Sequence, residues 1–533
     1  MENSKKNIFW NIKGDIFGGI TAGVIALPLA LAFGVASGAG AAAGLYGAIF
    51  LGFFAALFGG TPTQVSGPTG PMTVVIAGII ATHPNNIQAV FLTIILAGLF
   101  QILFGLFKLG NLIKYVPYPV ISGFMSGIGM IIIILQLNPL LGLPSNGSII
   151  NSLKETFTSL QNTNLHSLLL GAITLAIVFF MPKKWQRFVP APLTALVIVT
   201  VLSIVLGFNV QTISDIPASL PSLSLPMVSW DVLKTLIPIA LTLSILGCVD
   251  SLLTSLVADS VTKTKHNSNK EIIGQGIGNI VAGLFGGIAG AGATMRTVVN
   301  IKAGGRTRIS GIVHSLFLLV ILIGAAPLAQ NIPSAVLAGI LIKVGVDIVD
   351  YKFLKVLRNS PKRDLAVMVW VFFVTVFYDL IFAVATGIVL SSILFAISVA
   401  QQFNIEINDT HKIEDTDDDS VETKSKYAIR TLDIQGVLFF GSSSQFLSTI
   451  DDVLETKYLI INCQNVLNLD ISASFALEDM IVRTKDKDTE VLLVVNNEKI
   501  TNKLEQLGVL NVLGDKNVFY SKEEAVNYAE QHL

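Results

Sequence analysis

The sequence predicts an α-helical polytopic membrane protein that ends in a small α/β cytoplasmic domain. Three observations predict it. Of the 533 residues, 52% are apolar and 13% are charged, against about 25% charged in soluble domains, and the mean hydropathy is +0.69. The charge deficit is localised: no acidic residue lies between Asp15 and Glu155, and none between Glu155 and Asp215. Apolar runs such as 87–107 and 121–137 approach or reach the roughly 20 residues that a bilayer crossing takes. One such run is compatible with a buried soluble helix, but about a dozen in succession are not.

Taken in order, the first fifteen residues are polar and lack the apolar core and cleavage site of a signal peptide. The first membrane helix is therefore expected to direct insertion. About fourteen apolar segments follow between Ile16 and Gln401. Those at 41–57, 165–181, 189–208 and 309–326 have ordinary lengths, whereas those around 61–80 and 286–303 are short or broken by Gly and Pro. If Lys5, Lys6 and Lys13 are cytoplasmic, alternate loops carry Lys108 and Lys114, then Lys183, Lys184 and Arg187, then Lys263, Lys265 and Lys270. The series continues with Lys302, Arg306 and Arg308 and with the basic stretch 351–363, while the opposite loops carry chiefly Lys154 and Lys234. Basic residues collect on the cytoplasmic side, so both termini are expected there, in a cell inner (plasma) membrane.

After Gln401 the character changes. Residues 404–426 read as an acidic linker, with few apolar residues beyond Glu406. From 427 to 533 apolar strands alternate with amphipathic helices: a hairpin over 427–440 turning at Gln435–Gly436, buried strands at 458–463 and 491–495, and helices at 472–485, 499–507 and 522–531.

Several function classes are disfavoured. A net charge of −1 gives no support for nucleic acid binding. Cys248 and Cys463 are too far apart in sequence for a disulfide framework or a zinc spacing, and six scattered histidines form no metal-ligand motif. Nothing resembles a nucleophile, base and oxyanion-hole set, so an enzyme is not expected.

The two broken segments carry the functional signal. Val65-Ser-Gly-Pro-Thr-Gly-Pro-Met-Thr-Val-Val75 and Gly290-Ala-Gly-Ala-Thr-Met-Arg-Thr-Val-Val299 occupy corresponding places in the two halves. Each moves from small residues through a Met into Thr-Val-Val, with Arg296 inserted in the second. Such pairs mark half-helices that meet at a midplane substrate site, and Pro68 and Pro71 suit a helix start. Two facing helix N-termini present roughly half a positive charge apiece and free N–H donors. With the Thr69 and Thr294 hydroxyls and the Arg296 charge, this chemistry favours an anion. Asp250 lies in an apolar stretch, where an ionised carboxylate costs roughly 2.5–3.5 kcal/mol, and Thr254 is one turn on, on the same face. Opposite carbonyls of an unwound segment, this oxygen set suits Na⁺ or a proton. Ser251 and Ser255 read as helix-packing residues, and Asp259, Asp347 and Asp350 as interfacial.

At these residues the chain resembles a known family. The opening GDIFGGITAGVIALPLALAFGVASGAGAAAGLYGAI is similar to the first two spans of the SulP anion transporters. The stretch GCVDSLLTSLVADSVTKTKHNSNKEIIGQGIGNIVAGLFGGIAGAGATMRT resembles especially the BicA-type sodium/bicarbonate symporters of that family, and the tail resembles a STAS domain. The resemblance implies fourteen spans in two inverted seven-helix repeats, a core domain moving against a gate domain, and a homodimer in the lipid bilayer. It implies an anion site at Thr69 and the backbone of Ala293 and Thr294, with Arg296 where many relatives keep an arginine, and Met295 where they keep a serine. It makes Asp250, Thr254 and Gly292 the candidates for sodium. In the tail, Leu469-Asp-Ile-Ser-Ala-Ser474 matches the turn where phosphorylatable STAS proteins keep Asp-x-Ser, so Ser472 is a candidate regulatory site; Asp470 equally suits an ordinary N-cap.

The expected function is Na⁺-dependent bicarbonate uptake by an elevator-like movement. The alternatives are a proton- or sodium-coupled carrier of sulfate or another oxyanion, a passive anion channel, and a membrane sensor that signals anion occupancy through STAS.

Overall fold

The computed structural model describes residues 8–83, 86–111, 116–144, 149–186, 189–213, 221–223, 226, 229–356, 359–378, 380–412, 427–448, 456–487 and 489–533. Lys5, Lys6, Lys114, Arg187, Asp215 and the linker stretch 413–426 lie outside these residues. The chain divides into two compact units, Met1–Ile388 and Val389–Leu533.

Leaving aside the amphipathic helix Ile149–Thr158 and segments of six residues or fewer, the first unit is built from α1 (Ile12–Ala36), α2 (Ala41–Phe58), α3 (Gly70–Thr82), α4 (Ile87–Leu106), α5 (Tyr118–Leu140), α6 (Leu165–Phe180) and α7 (Ala191–Val205). There follow α8 (Trp230–Thr262), α9 (Ser268–Leu284), α10 (Thr294–Lys302), α11 (Arg308–Ala329), α12 (Ser334–Ile348), α13 (Lys362–Phe377) and α14 (Leu380–Ala400), the last crossing into the second unit. Each set of seven thus has a short third member, and each of those follows a two-residue strand: β1 (Ser66–Gly67) before α3 and β2 (Ala291–Gly292) before α10. Helices α1, α2, α4, α5 and α8, with residues 382–400 of α14, are long and apolar enough to cross a membrane, by length and composition. The side chains that face outward are apolar, as on α7, where Val197, Ile198, Val201, Ile204 and Val205 are all exposed; such a face suits lipid.

Two packing groups share the first unit. In one, α9 packs against α2 and α4, α8 against α4 and α10, and α11 against α1 and α2. In the other, α5 packs against α12 and α13, and α12 against α6. Small residues let the backbones close up: a side chain at Gly98 or Gly276 would strike the other's carbonyl between α4 and α9, and Gly129 and Gly345 do the same between α5 and α12. Close backbone approach replaces the hydrophobic drive that lipid cannot supply between membrane helices.

The second unit carries a five-stranded sheet in the order β3 (Asn404–Lys412), β4 (Tyr427–Leu438), β5 (Tyr458–Leu469), β6 (Glu490–Val494), β7 (Val518–Phe519), antiparallel at β3–β4 and parallel beyond. Its helices are α15 (Phe440–Ser448), α16 (Ile471–Lys485), α17 (Glu498–Gln506), α18 (Val509–Leu513) and α19 (Lys522–Gln531). Side chains alternate between two cores: Leu459, Ile461, Val491 and Leu493 join Leu477 and Met480 of α16, while Ile460, Leu492 and Val494 join Ala525 and Ala529 of α19.

Two expectations are corrected here. Residues 427–438 form one continuous strand rather than a hairpin; Gly436 takes φ +102° beside register shifts in the β4–β5 ladder, so the glycine marks a bulge. The hairpin partner is β3, which begins inside the stretch read as linker. Ile405 and Ile407 pair with Ile434 and Leu432 there, and this short alternation was masked by the acidic residues around it.

Candidate functional site: two half-helix starts against α8

β1 and β2 pair antiparallel, Ser66 with Gly292 and Gly67 with Ala291. Their chains leave the pair in opposite directions, so α3 and α10 start at one place and run away from it. Thr69 and Ala293 are the N-caps, and neither caps its helix with a side-chain hydrogen bond. The free N–H groups of both first turns therefore converge on one locus. Further bonds tie the starts together: Ala293 N–H donates to Val65 O at 2.9 Å, and Val65 N–H to Thr297 Oγ1 at 3.0 Å.

The α8 face supplies the rest. Thr254 Oγ1 donates to Gly292 O at 2.9 Å and lies 2.7 Å from Thr294 Oγ1. Ser251 Oγ accepts from Gly292 N–H at 3.0 Å. Asp250 sits one turn before Thr254, its carboxylate under the electrostatic influence of Thr69 and Arg296, and its Oδ2 is buried with no hydrogen bond among the described residues. Arg296 is 2% exposed. Its Nη2 donates to Pro68 O at 2.6 Å while its Nη1 has no partner among the described residues. The Thr69 hydroxyl is likewise buried and closes no hydrogen bond there. Unpaired buried polar groups cost about 1–3 kcal/mol each, so three at one locus mark a place built to receive a ligand. Thr294 and Met295 are exposed at its mouth. Ser472 lies elsewhere, exposed in the first turn of α16, whose N-cap Asp470 accepts from Ala473 N–H at 2.8 Å.

This geometry has counterparts in known proteins. A profile described as the Sulfate permease family matches residues 12–372, and one described as the STAS domain matches residues 420–525. The chain belongs to the sulfate permease family. Within it, the chain is 44% identical over 495 residues to the protein named Bicarbonate transporter BicA of a Synechocystis species, covering 90% of this chain and 87% of that one. It is 34% identical over 484 residues to the Putative sulfate transporter YvdB of Bacillus subtilis, covering 89% of each. The solved transmembrane domain of a cyanobacterium bicarbonate transporter BicA matches with a TM-score of 0.67 at 54% identity, covering 70% of this chain and 98% of that one. Murine Slc26a9, described as an anion transporter in the inward-facing state, matches with a TM-score of 0.85 at 22% identity, covering 99% of this chain and 93% of that one, and shows the shared fold. The helical sulfate permease fold with a C-terminal STAS domain is thereby established.

Sequence reasoning missed part of the site of this sulfate permease family member. Ser251 and Ser255 do more than pack helices: Ser251 holds the Gly292 amide, and Ser255 Oγ donates to Gln64 Oε1 at 3.0 Å. Glu271 on α9 was overlooked. It is 1% exposed, and its carboxylate accepts from Gly60 N–H, Thr61 N–H, Gln64 Nε2 and Gln275 Nε2 at 2.7–2.8 Å. It clamps the loop that leads into β1. The signal was present as an acid followed by Gln275 and Asn279 at four-residue intervals in a helix that is otherwise apolar after its first three residues.

Proposed function

We propose that this protein takes up bicarbonate together with Na⁺, moving α1–α4 and α8–α11 as a core against α5–α7 and α12–α14 as a gate. The observation that carries the reading is the convergence of two uncapped half-helix starts, the unpaired Thr69 hydroxyl and the free Arg296 Nη1 opposite the Asp250 carboxylate. The anion would sit against Thr69 and the Ala293–Thr294 backbone, within the field of Arg296. Na⁺ would take Asp250, Thr254 Oγ1 and the Gly292 carbonyl, an all-oxygen set.

Charge bookkeeping favours a monoanion. Arg296 and Asp250 sum to zero, and Na⁺ with bicarbonate adds zero, so loading leaves the charge of the site unchanged as it crosses the bilayer. A dianion with one Na⁺ leaves an uncompensated charge, which is expensive at that depth. The gate wall suits sliding: Ile132 of α5 and Ile348 of α12 lie against Gly70 at the start of α3, and apolar contacts have no hydrogen bonds to break. Similarity to proteins named for bicarbonate supports the same substrate. The family's sulfate-named relatives make sulfate or another oxyanion the second reading. The protein acts as a homodimer in the plasma membrane, with both termini in the cytoplasm.

The test is uptake of labelled bicarbonate into proteoliposomes with and without an inward Na⁺ gradient, with labelled sulfate in parallel. Gradient-driven bicarbonate uptake without sulfate uptake is expected. Sulfate uptake that ignores Na⁺ would overturn the assignment and recast Asp250 as a proton site.

A further inference from the structure

Thr254 and Thr294 share too few hydrogens to satisfy every neighbour at once. Each hydroxyl has one hydrogen and two acceptor lone pairs. Thr254 Oγ1 lies 2.9 Å from the Gly292 carbonyl, which only accepts, so the Thr254 hydrogen is committed there. The 2.7 Å contact between the two hydroxyls is then made by Thr294 donating to Thr254. In that arrangement Thr294, exposed as the first residue of α10, turns only lone pairs toward the place an anion would occupy.

We propose that these two hydroxyls form a relay that makes Thr294 an anion donor only when a cation is bound. The inference rests on the reading above, in which Na⁺ lies against Gly292 O and Thr254 Oγ1. A cation there occupies lone pairs of both oxygens and expels the Thr254 hydrogen from between them. Among the described residues, the other acceptor that Thr254 Oγ1 meets is Thr294 Oγ1. Once Thr294 accepts that hydrogen, its own swings outward to the anion. Hydrogen bonds change direction, and no proton leaves either oxygen.

The surrounding structure confines the change to these rotors. Ser251 Oγ holds the Gly292 amide at 3.0 Å, and the next amide, Ala293 N–H, donates to Val65 O at 2.9 Å. The peptide that carries the cation's carbonyl ligand is thus fixed on either side. Ser251 and Thr254 lie three residues apart on one helix face, so one side of α8 holds both ends of Gly292. Linkage is reciprocal: an anion that accepts from Thr294 raises the affinity for the cation by the same factor.

The experiment measures bicarbonate affinity in purified full-length protein, through ligand-induced shifts in melting temperature, in sodium gluconate and in N-methylglucamine gluconate. Wild type binds bicarbonate more tightly in Na⁺. Thr294→Val keeps the shape and removes the hydroxyl, and the Na⁺-induced gain is expected to shrink roughly tenfold, the scale of one hydrogen bond to a charged partner. Thr294→Ser restores it. Thr294→Ala serves as a second hydroxyl-free variant should valine lower the ligand-free melting temperature. An undiminished Na⁺ gain in both hydroxyl-free variants overturns the relay and leaves cation coupling standing. Absence of any Na⁺ gain in wild type overturns the coupled reading and the relay with it.

Discussion

The two half-helices start from the same strand pair but finish their N-termini in opposite ways. At α3 the Thr69 hydroxyl is buried and unbonded, the first turn holds Pro71 and no charge, and thirteen residues follow. At α10 the Thr294 hydroxyl is tied to α8, Arg296 reaches across to Pro68 O, and the helix has only nine residues. The difference lies in the long helices beside them. Between Thr21 and Ser37, α1 has no polar side chain, whereas α8 brings Asp250, Ser251, Thr254 and Ser255 within six residues. Two halves of similar plan have therefore divided the work: the second half-helix is braced against α8 beside the proposed cation site, and the first keeps a bare donor set.

The largest effect should come from breaking the bracing. Asp250→Asn is expected to abolish Na⁺-driven uptake while leaving insertion intact, and Na⁺-coupled transport surviving in that variant would remove Asp250 from the cation site. Arg296→Met frees Pro68 O and removes the cation whose field reaches Asp250, so it should destabilise by about 1–3 kcal/mol, the cost of stranding buried polar groups. The double variant should recover most of the melting temperature and none of the transport. If it stays as unstable as Arg296→Met, the two charges are not a pair.

A smaller effect separates the half-helices themselves. Thr69→Val replaces an unbonded hydroxyl by a methyl, which should leave the melting temperature within a few degrees of wild type. The bicarbonate KM should rise roughly tenfold, with the Na⁺-induced gain in affinity kept. Thr294→Val should also raise the KM in Na⁺, but by shrinking the Na⁺-induced gain and leaving the Na⁺-free affinity unchanged. Equal loss of Na⁺ linkage in both variants would dissolve the division of work.

Much of this was legible because membranes restrict sequence so severely. The spans follow from apolar length, and the half-helices from Gly and Pro interruptions at matching places. Thr254 facing carbonyls of an unwound segment was legible from an intramembrane acid with a hydroxyl one turn on, while Gly292 as the carbonyl came from the family resemblance. The polar clamp around Glu271 was harder, because apart from Gln275 its donors are two backbone amides and a glutamine drawn from 60–64, and no local pattern announces a partnership some two hundred residues apart. In the STAS domain the helices at 471–485, 498–506 and 522–531 followed from periodicity. Strand β3 was lost because its acids read as linker, and Gly436 was taken for a turn because a bulge and a turn share the same residue.

The STAS domain offers the control for the buried charges, since it holds the same residue classes outside the apolar helices. Asp433 is pushed up by burial, but bonds from Lys522 Nζ at 2.6 Å and from Asn462 and Asn408 at 2.7 Å outweigh this and hold it below the usual carboxylate range. A carboxylate depressed on folding stabilises fully above its unfolded value of about 3.9 and loses that contribution as the pH falls through its folded value. Asp433→Asn should therefore lower hydrogen-exchange protection of the β4, β5 and α19 amides at pH 7 by only about 0.5–1 kcal/mol, the scale of a partly exposed pair. The gap between variant and wild type should close below about pH 4. A loss at pH 7 as large as that of Arg296→Met would mean that burial in the membrane is not what makes the Asp250–Arg296 pair costly to break.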